Sequence, residues 1–268
     1  MHPNLRSILV IAKSVLVEAV RRKEIYVIIL LCCGLIGVVM SMDFFGLSGL
    51  VKFYREISLR LMGVSTALAV ILLATRQLPR EFETRTIYPL LARPVGRFTF
   101  LLGKGLGVLL AAAFCYGLFM ILYVGGILSL DGDLAWGLFV QHLYLQLLQM
   151  LVLTSLCFLL SLSLNFDAAL VIGALLYAAS GIISSASLAL FELTNTLGRG
   201  VLIVLNYLLP QLVLFDLSEK VTHYEPELRG MLWRPLELST MLALTAYGLV
   251  YTIIFTGGAF LLFRRRPL

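Results

Sequence analysis

The sequence predicts an all-α membrane protein with about six transmembrane helices, preceded by an amphipathic helix in the membrane interface. Apolar residues make up 60% of the chain and charged residues 13%, whereas roughly a quarter of the residues in a soluble domain are charged. Several apolar runs reach the ~20 residues that cross ~30 Å of hydrocarbon. Because these runs are continuous rather than alternating, they favour helices over a barrel. We treat residues 1–268 as one transmembrane domain.

Residues 4–23 form an amphipathic segment ahead of the first span. Ala12 and Val15 share one helical face with other apolar residues, and Arg6 and Lys13 fall mostly on the other face. This pattern is typical of a helix that lies in the interface, with its cations at the headgroups. The alternative is a soluble helix that packs on a partner protein.

The predicted spans follow one another along the rest of the chain. They cover about 25–43, 61–75, 99–128, 136–162, 168–190 and 238–263. A basic loop occupies 76–98, and a long outer connection occupies 191–238. Within that connection, residues 201–217 are apolar but short and are interrupted by Pro210. We therefore expect a re-entrant or interfacial helix pair on the outer side rather than a seventh span.

The distribution of basic residues assigns the two sides of the membrane. With both termini, the 76–98 loop and the turn after the fourth span on the cytoplasmic side, about two thirds of the 21 Lys and Arg residues lie there. Basic residues near span ends set orientation in this sense. The net charge of +6 is then a topology signal. We expect a multi-pass protein in contact with the lipid bilayer, with cytoplasmic termini and no nucleic acid partner.

Cysteine spacing and catalytic motifs give no sign of a metal site or of an enzyme. Cys32, Cys33, Cys115 and Cys157 lie in apolar runs, without zinc-ligand spacing or a disulfide pattern. The His-Glu-x-x-His and Gly-x-Ser-x-Gly motifs are absent from the sequence. We therefore expect no catalytic residue and no metal in this chain.

The pair Gly103-Lys104 does not form a phosphate-binding loop. Such a loop needs Gly-x-x-x-x-Gly-Lys followed by Ser or Thr, but Phe98 stands at the first glycine position and Gly105 follows the lysine. We expect that the chain does not hydrolyse ATP. The glycines at 103, 105 and 107 are better explained by close helix packing.

Polar residues inside the spans have two interpretations. His142, Gln146 and Gln149 share one face of the fourth span, and Ser180 and Ser184 share one face of the fifth. Polar groups at membrane depth mark a substrate path or form interhelical hydrogen bonds. For the fourth span, a position near the outer interface is a further explanation.

The loop after the second span carries the most specific pattern in the chain. Glu81 and Glu83 come first, Thr86 follows, Pro94-Val95-x-Arg97 forms a turn, and Gly103-Lys104 opens the third span. The prolines break helices at their positions. From the residues alone, the loop either docks a cytosolic partner or is a solvated basic loop.

This spacing resembles the cytoplasmic loop of the ABC type-2 exporter permease family. That family's loop reads approximately Glu-x-Glu-x-Gly-Thr, then Pro-Val-x-Arg eight residues after the Thr, then Gly-Lys at the next span. The N-terminal amphipathic helix and the long connection before the last span resemble the family's plan as well. Arg85 stands where the family usually has Gly, which bears on the turn geometry and on the docking surface.

The resemblance implies a permease subunit of an ATP-driven exporter in a bacterial inner membrane. It implies pairing with a second permease chain, identical or paralogous, and with separate ATP-binding subunits that hold the ATP, so that no cofactor is expected in this chain. The residues that the resemblance assigns to docking of the ATP-binding subunits are Glu81, Glu83, Thr86, Arg93 and Arg97. The transported substrate is not indicated by any residue.

In that family, the second and fifth spans lie near the path between the paired chains. Thr66, Ser180 and Ser184, together with His142 and Gln146 of the fourth span, are therefore the predicted lining of the translocation path or of the dimer seam. Helix packing within one chain is the alternative explanation. A self-contained secondary transporter or channel is the alternative function, and an intramembrane enzyme is a weaker one.

Overall fold

Helices form every regular element in the part of the chain that the computed structural model describes, which comprises residues 3–41, 46–83, 96–130, 132, 134, 136–190, 195, 198–200, 209–222 and 235–265. The long helices are α1 (Pro3–Val20), α2 (Lys23–Met40), α3 (Gly46–Glu83), α4 (Arg97–Ser129), α5 (Trp136–Ser163), α6 (Phe166–Leu190) and α8 (Leu238–Arg265). Between α6 and α8 lie a 3₁₀ turn (Leu212–Phe215) and the short helix α7 (Ser218–Thr222). The predicted all-α class is confirmed for these residues.

Among the described residues, four helices are long and apolar enough to cross a membrane. These segments are Val51–Phe82, Arg97–Ser129, Trp136–Ser163 and Leu238–Arg265. The apolar helical segments Tyr26–Val39 and Phe166–Ile182, which correspond to the predicted first and fifth spans, are shorter. The structure therefore supports a multi-pass membrane protein, with four of the six predicted spans meeting the criteria of length and composition.

Helix α3 lies at the centre of the bundle and is longer than the predicted second span. It begins well before Leu61 and continues past Thr75, with Pro79 inside it, to Glu83. The link between α3 and α4 is therefore shorter than the predicted 76–98 loop. Helix α3 contacts α2, α4, α5, α6 and α7. Its early turns stay helical because they pack on α4, where the Tyr54 hydroxyl donates a hydrogen bond to the Leu122 carbonyl at 3.2 Å.

Helix α1 packs along the first half of α4, and small residues make the close approach possible. A Cβ atom at Gly103 would lie 2.9 Å from the Cβ of Ile11, and one at Gly107 would lie 2.6 Å from the Cβ of Val15. The predicted role of these two glycines in close helix packing is confirmed. Other apolar residues of α1, among them Val10, remain exposed, as expected for a helix that also contacts lipid.

Helix α5 is the most buried of the four long apolar helices, and α8 is the most exposed. In the most apolar segment of each helix, 78% of the α5 segment is buried inside the bundle, whereas 22% of the α8 segment is buried. Helix α8 packs mainly on α5. Its other faces are apolar and are left for lipid or for another chain.

Residues 209–217 pack against the bundle with irregular and 3₁₀ backbone, ahead of the short helix α7. The Gln149 side-chain nitrogen donates a hydrogen bond to the Leu212 carbonyl at 3.1 Å. Gln149 lies ~20 Å along α5 from its start at Trp136, at 1.5 Å per residue. Leu212 and Phe215 are buried, which agrees with the rule that irregular backbone at membrane depth must be covered by protein. The rest of the predicted re-entrant segment, 201–208, lies outside the described residues.

Candidate functional site

One end of the bundle, which we call the loop end, is where α3 finishes at Glu83 and α4 begins at Arg97. The Lys104 ammonium is buried there, with 5% of its side chain exposed, and it lies 2.6 Å from a carboxylate oxygen of Glu81. The same ammonium donates a hydrogen bond to the Gln77 side-chain oxygen at 3.1 Å. A buried charge requires such a partner, so these contacts fix the last turns of α3 against the first turns of α4.

A second ionic contact ties α3 to α1 at the same end. The Glu18 carboxylate of α1 accepts a hydrogen bond from Arg80 of α3. It also accepts one from Arg22 at 2.6 Å. The pair of Arg80 with Glu18 is largely exposed and contributes little to stability by itself. Their consequence is positional, because they place α1 beside the final turn of α3.

Arg97, the first residue of α4, holds the C-terminal end of α8. Its guanidinium donates to the main-chain carbonyls of Arg264 at 2.9 Å and Phe263 at 3.3 Å. These carbonyl groups belong to the last turn of α8, where main-chain carbonyls have no hydrogen-bond donor within their own helix. The ring of Phe263 is fully buried and packs against the rings of Phe82 and Phe100, at centroid distances of 6.0 and 6.1 Å.

The predicted docking residues therefore differ in their surroundings. Glu81 and Arg97 are engaged inside the chain, by Lys104 and by the end of α8. Glu83 is the last residue of α3, and its side chain lies outside the described part, as do Thr86 and Arg93. The structure thus shows a loop whose two ends are fixed by ionic and hydrogen-bonded contacts to α1, α4 and α8.

The interior polar residues of α5 lie away from the loop end. His142 and Gln146 are buried, with 2% and 4% of their surfaces exposed. Within the described part of the chain, the His142 Nδ1 atom and the Gln146 Oε1 atom have no hydrogen-bond partner. A Cβ atom added to Gly63 of α3 would lie 3.6 Å from the side-chain nitrogen of Gln146. Gln146 therefore faces the contact between α3 and α5.

The other predicted lining residues are engaged locally. The Thr66 hydroxyl is buried and donates to the Met62 carbonyl at 2.6 Å in its own helix. The Ser180 hydroxyl donates to the Tyr177 carbonyl at 2.7 Å in α6. The side chain of Ser184 lies outside the described residues. The hydroxyl groups of Thr66 and Ser180 therefore donate within their own helices and not to another helix.

Sequence reasoning missed two groups that the fold brings to these sites. Lys104 was noted only as part of the Gly-Lys pair, although it is the partner of Glu81. Asp216 was not singled out, although its carboxylate lies 4.0 Å from His142 Nδ1. A signal for Asp216 was present, because it is the sole acid in the apolar run 201–217 and acids at membrane depth are usually functional.

Long apolar helices around a buried core are typical of a multi-pass membrane protein. A family profile described as ABC-2 family transporter protein matches residues 60–268. The chain therefore belongs to the ABC-2 transporter family, and its role is that of a membrane permease in ABC transport. Membership implies in general that it works with ATP-binding subunits. No match was found among curated proteins.

Proposed function

We propose that this chain is the permease subunit of an ATP-driven exporter, and that separate ATP-binding subunits dock on the loop between α3 and α4. The family supports the permease role. The observation that carries the coupling proposal is that this loop is anchored at both ends. Glu81 binds Lys104 just before it, and Arg97 binds the end of α8 just after it.

These anchors let a movement of the loop act on several helices together. The contact between Glu81 and Lys104 joins α3 to α4, and the contact between Arg80 and Glu18 joins α3 to α1. A docked subunit that shifts the loop would therefore displace α1, α3, α4 and α8 as one body. Packed bundles respond to such a push by rigid-body movement between two arrangements.

The proposal places the loop end in the cytoplasm of a bacterial cell, at the inner membrane, together with both termini. Basic side chains are concentrated at this end, which is the orientation that the positive-inside rule favours. ATP would be bound and hydrolysed by the partner subunits, and the permease chain itself would be neither an ATPase nor a cofactor-binding protein.

We further propose that two permease chains pair, as identical copies or as paralogues, and that the path runs near their seam. Helix α6 presents large exposed apolar side chains, namely Val171, Leu175 and Ile182. A second chain covering this face would bring α6 and the interior of α3 and α5 close to the same path. Its proposed lining is Thr66, His142, Gln146, Ser180 and Ser184.

Photocrosslinking from the loop tests the docking proposal. A photoreactive residue is placed at Thr86 in native membranes, and the captured protein is identified by mass spectrometry. The expected product is an ATP-binding subunit. Charge reversal by Glu83→Lys should reduce its capture several-fold. Glu81 is not the position to reverse, because its contact with Lys104 would be broken as well.

The matched control places the same photoreactive residue at Trp136, an exposed position at the start of α5 and therefore at the opposite end of the bundle. Capture of the same subunit from both positions would mean non-specific association. Capture of no ATP-binding protein from Thr86, in membranes where the chain is folded and abundant, would overturn the coupling proposal.

A further inference from the structure

Two helices contribute polar atoms to the interior that have no hydrogen-bond partner among the residues that the structure describes. The hydroxyl groups of Tyr116 and Tyr123 in α4 are buried and unpartnered, as are Nδ1 of His142 and Oε1 of Gln146 in α5. These groups keep no more than 4% of their residue surface exposed. Buried polar groups are almost always hydrogen-bonded in native proteins, so a cluster of unpartnered ones indicates that another molecule supplies the partner.

Asp216 joins this cluster from the re-entrant segment. Its carboxylate interacts electrostatically with Tyr116, His142 and Tyr177, which belong to three different helices. One carboxylate oxygen accepts a hydrogen bond from the main-chain nitrogen of Ser218 at 2.9 Å. Among the described residues, no Lys or Arg lies within ion-pair distance of this carboxylate.

The cluster extends from the far end of the bundle, opposite the loop end, towards its middle. His142 and Gln146 lie ~9 and ~15 Å along α5 from its first residue, at 1.5 Å per residue. By the same rise, Tyr123 and Tyr116 lie ~9 and ~20 Å from the end of α4. Asp216 keeps 43% of its side chain exposed, whereas the other groups are covered. Asp216 is therefore the member of the cluster that solvent reaches.

We propose that this cluster is a binding site for a cationic, hydrogen-bond-donating group, such as an organic ammonium, that enters past Asp216 from the outer side. The inference rests on the proposed function in assigning the site to the transported substrate and in placing this end of the bundle on the outer side. The site itself is defined by Tyr116, Tyr123, His142, Gln146 and Asp216, whether or not a partner subunit docks.

The chemistry of the five side chains selects a cation over an anion. Among the described residues, the only basic side chain within ion-pair distance of the Asp216 carboxylate is the His142 imidazole, at 4.0 Å, and no donor reaches the Gln146 oxygen. An ammonium group donates hydrogen bonds to both kinds of atom. An anion would be repelled by the Asp216 charge.

Charge-selective cysteine labelling tests this site without knowledge of the substrate. Gln146→Cys is made in a chain whose four natural cysteines are alanine, in right-side-out vesicles. Two membrane-impermeant methanethiosulfonates of similar size are added outside, one carrying trimethylammonium and the other sulfonate. Their rates are normalised to those of Trp136→Cys, which is exposed at the start of the same helix.

We expect the ratio of cation to anion labelling rates to be about tenfold higher at Gln146→Cys than at Trp136→Cys. This is the effect of one nearby negative charge at an intermediate dielectric constant. Asp216→Asn should abolish most of this preference while labelling continues. His142→Cys serves as the second position if Gln146→Cys does not fold. Absence of labelling at both positions would overturn the open site. A ratio that Asp216→Asn leaves unchanged would overturn the cation assignment. Neither outcome depends on photocrosslinking from Thr86.

Discussion

The buried ammonium of Lys104 lies 2.6 Å from the Glu81 carboxylate, although 23 residues separate the two positions in the chain. Glu81 lies in the last turn of α3, and Lys104 lies in the second or third turn of α4. The ion pair therefore closes the base of the loop, with 5% and 18% of the two side chains exposed. A contact that is both buried and ionic depends on each partner for its stability.

Removing one partner of this pair should destabilise the protein strongly. Lys104→Met leaves the Glu81 carboxylate without its cation, and we expect the free energy of unfolding to fall by on the order of 3 kcal/mol. Glu81→Gln combined with Lys104→Met should recover a large part of that loss. Thermal unfolding in a single detergent measures all four combinations. If the double variant loses as much stability as the two single variants together, Glu81 and Lys104 are not a coupled pair.

Packing of α1 on α4 should be sensitive to a methyl group at Gly107. Gly107→Ala places a Cβ atom 2.6 Å from the Cβ of Val15 and 2.9 Å from the Ala12 carbonyl oxygen, so α1 must move. We expect a loss of about 1–3 kcal/mol and faster hydrogen exchange in α1.

The control for this packing prediction lies on the same helix. Gly117→Ala adds a Cβ atom that meets nothing within 4 Å. It should be neutral or slightly stabilising, since Ala favours helix over Gly by about 0.5–1 kcal/mol. Equal losses in Gly107→Ala and Gly117→Ala would mean that α1 is not held by this contact.

The guanidinium of Arg97 should protect the last turn of α8. Arg97→Gln removes the donors to the Phe263 and Arg264 carbonyls, and we expect faster hydrogen exchange in residues 259–265. Arg264→Gln is the matched control, because it removes a cation nearby but keeps the main-chain carbonyl that Arg97 binds. If the two variants exchange at the same rate, the contact of Arg97 with α8 is not what orders that turn.

Gln141 should fix the backbone at Leu236, just before α8 begins at the far end of the bundle. Its side chain donates to the Leu236 carbonyl at 3.0 Å and accepts from the Leu236 nitrogen at 2.8 Å. Gln141→Leu leaves both main-chain groups without this partner, at a cost of about 1–3 kcal/mol. We expect faster hydrogen exchange at Leu236. Tyr144→Phe removes only an exposed contact with Thr245 and should leave that exchange unchanged.

The helical class and the position of the loop are predictable from the sequence because both depend on local pattern. Long apolar runs dictate helices in lipid, and the glycines at 103 and 107 indicate close packing. The early turns of α3 are less predictable. Lys52, Arg55 and Glu56 look like a polar connection, but Tyr54 packs on α4 and keeps them helical.

The candidate site is less predictable, because its contacts join residues that are distant in the chain. From the sequence, Glu81 is interpreted as an exposed residue that docks a partner, but in the fold it pairs with Lys104. His142 has no acid in its own helix, and Asp216 reaches it from the re-entrant segment. Helical periodicity carries no information about pairs of this kind, since neighbouring helices slide and rotate without changing their own pattern.

The most direct test of the account is ATP hydrolysis by the purified chain, before and after addition of the ATP-binding subunit captured from Thr86. The account predicts no hydrolysis by the chain alone, and a rate for the subunit that changes several-fold when the chain is added. Lys104→Met, if it remains folded, should weaken that change, because it frees the base of the loop. Hydrolysis by the chain alone, or a subunit rate that the chain leaves unaltered, would contradict the account.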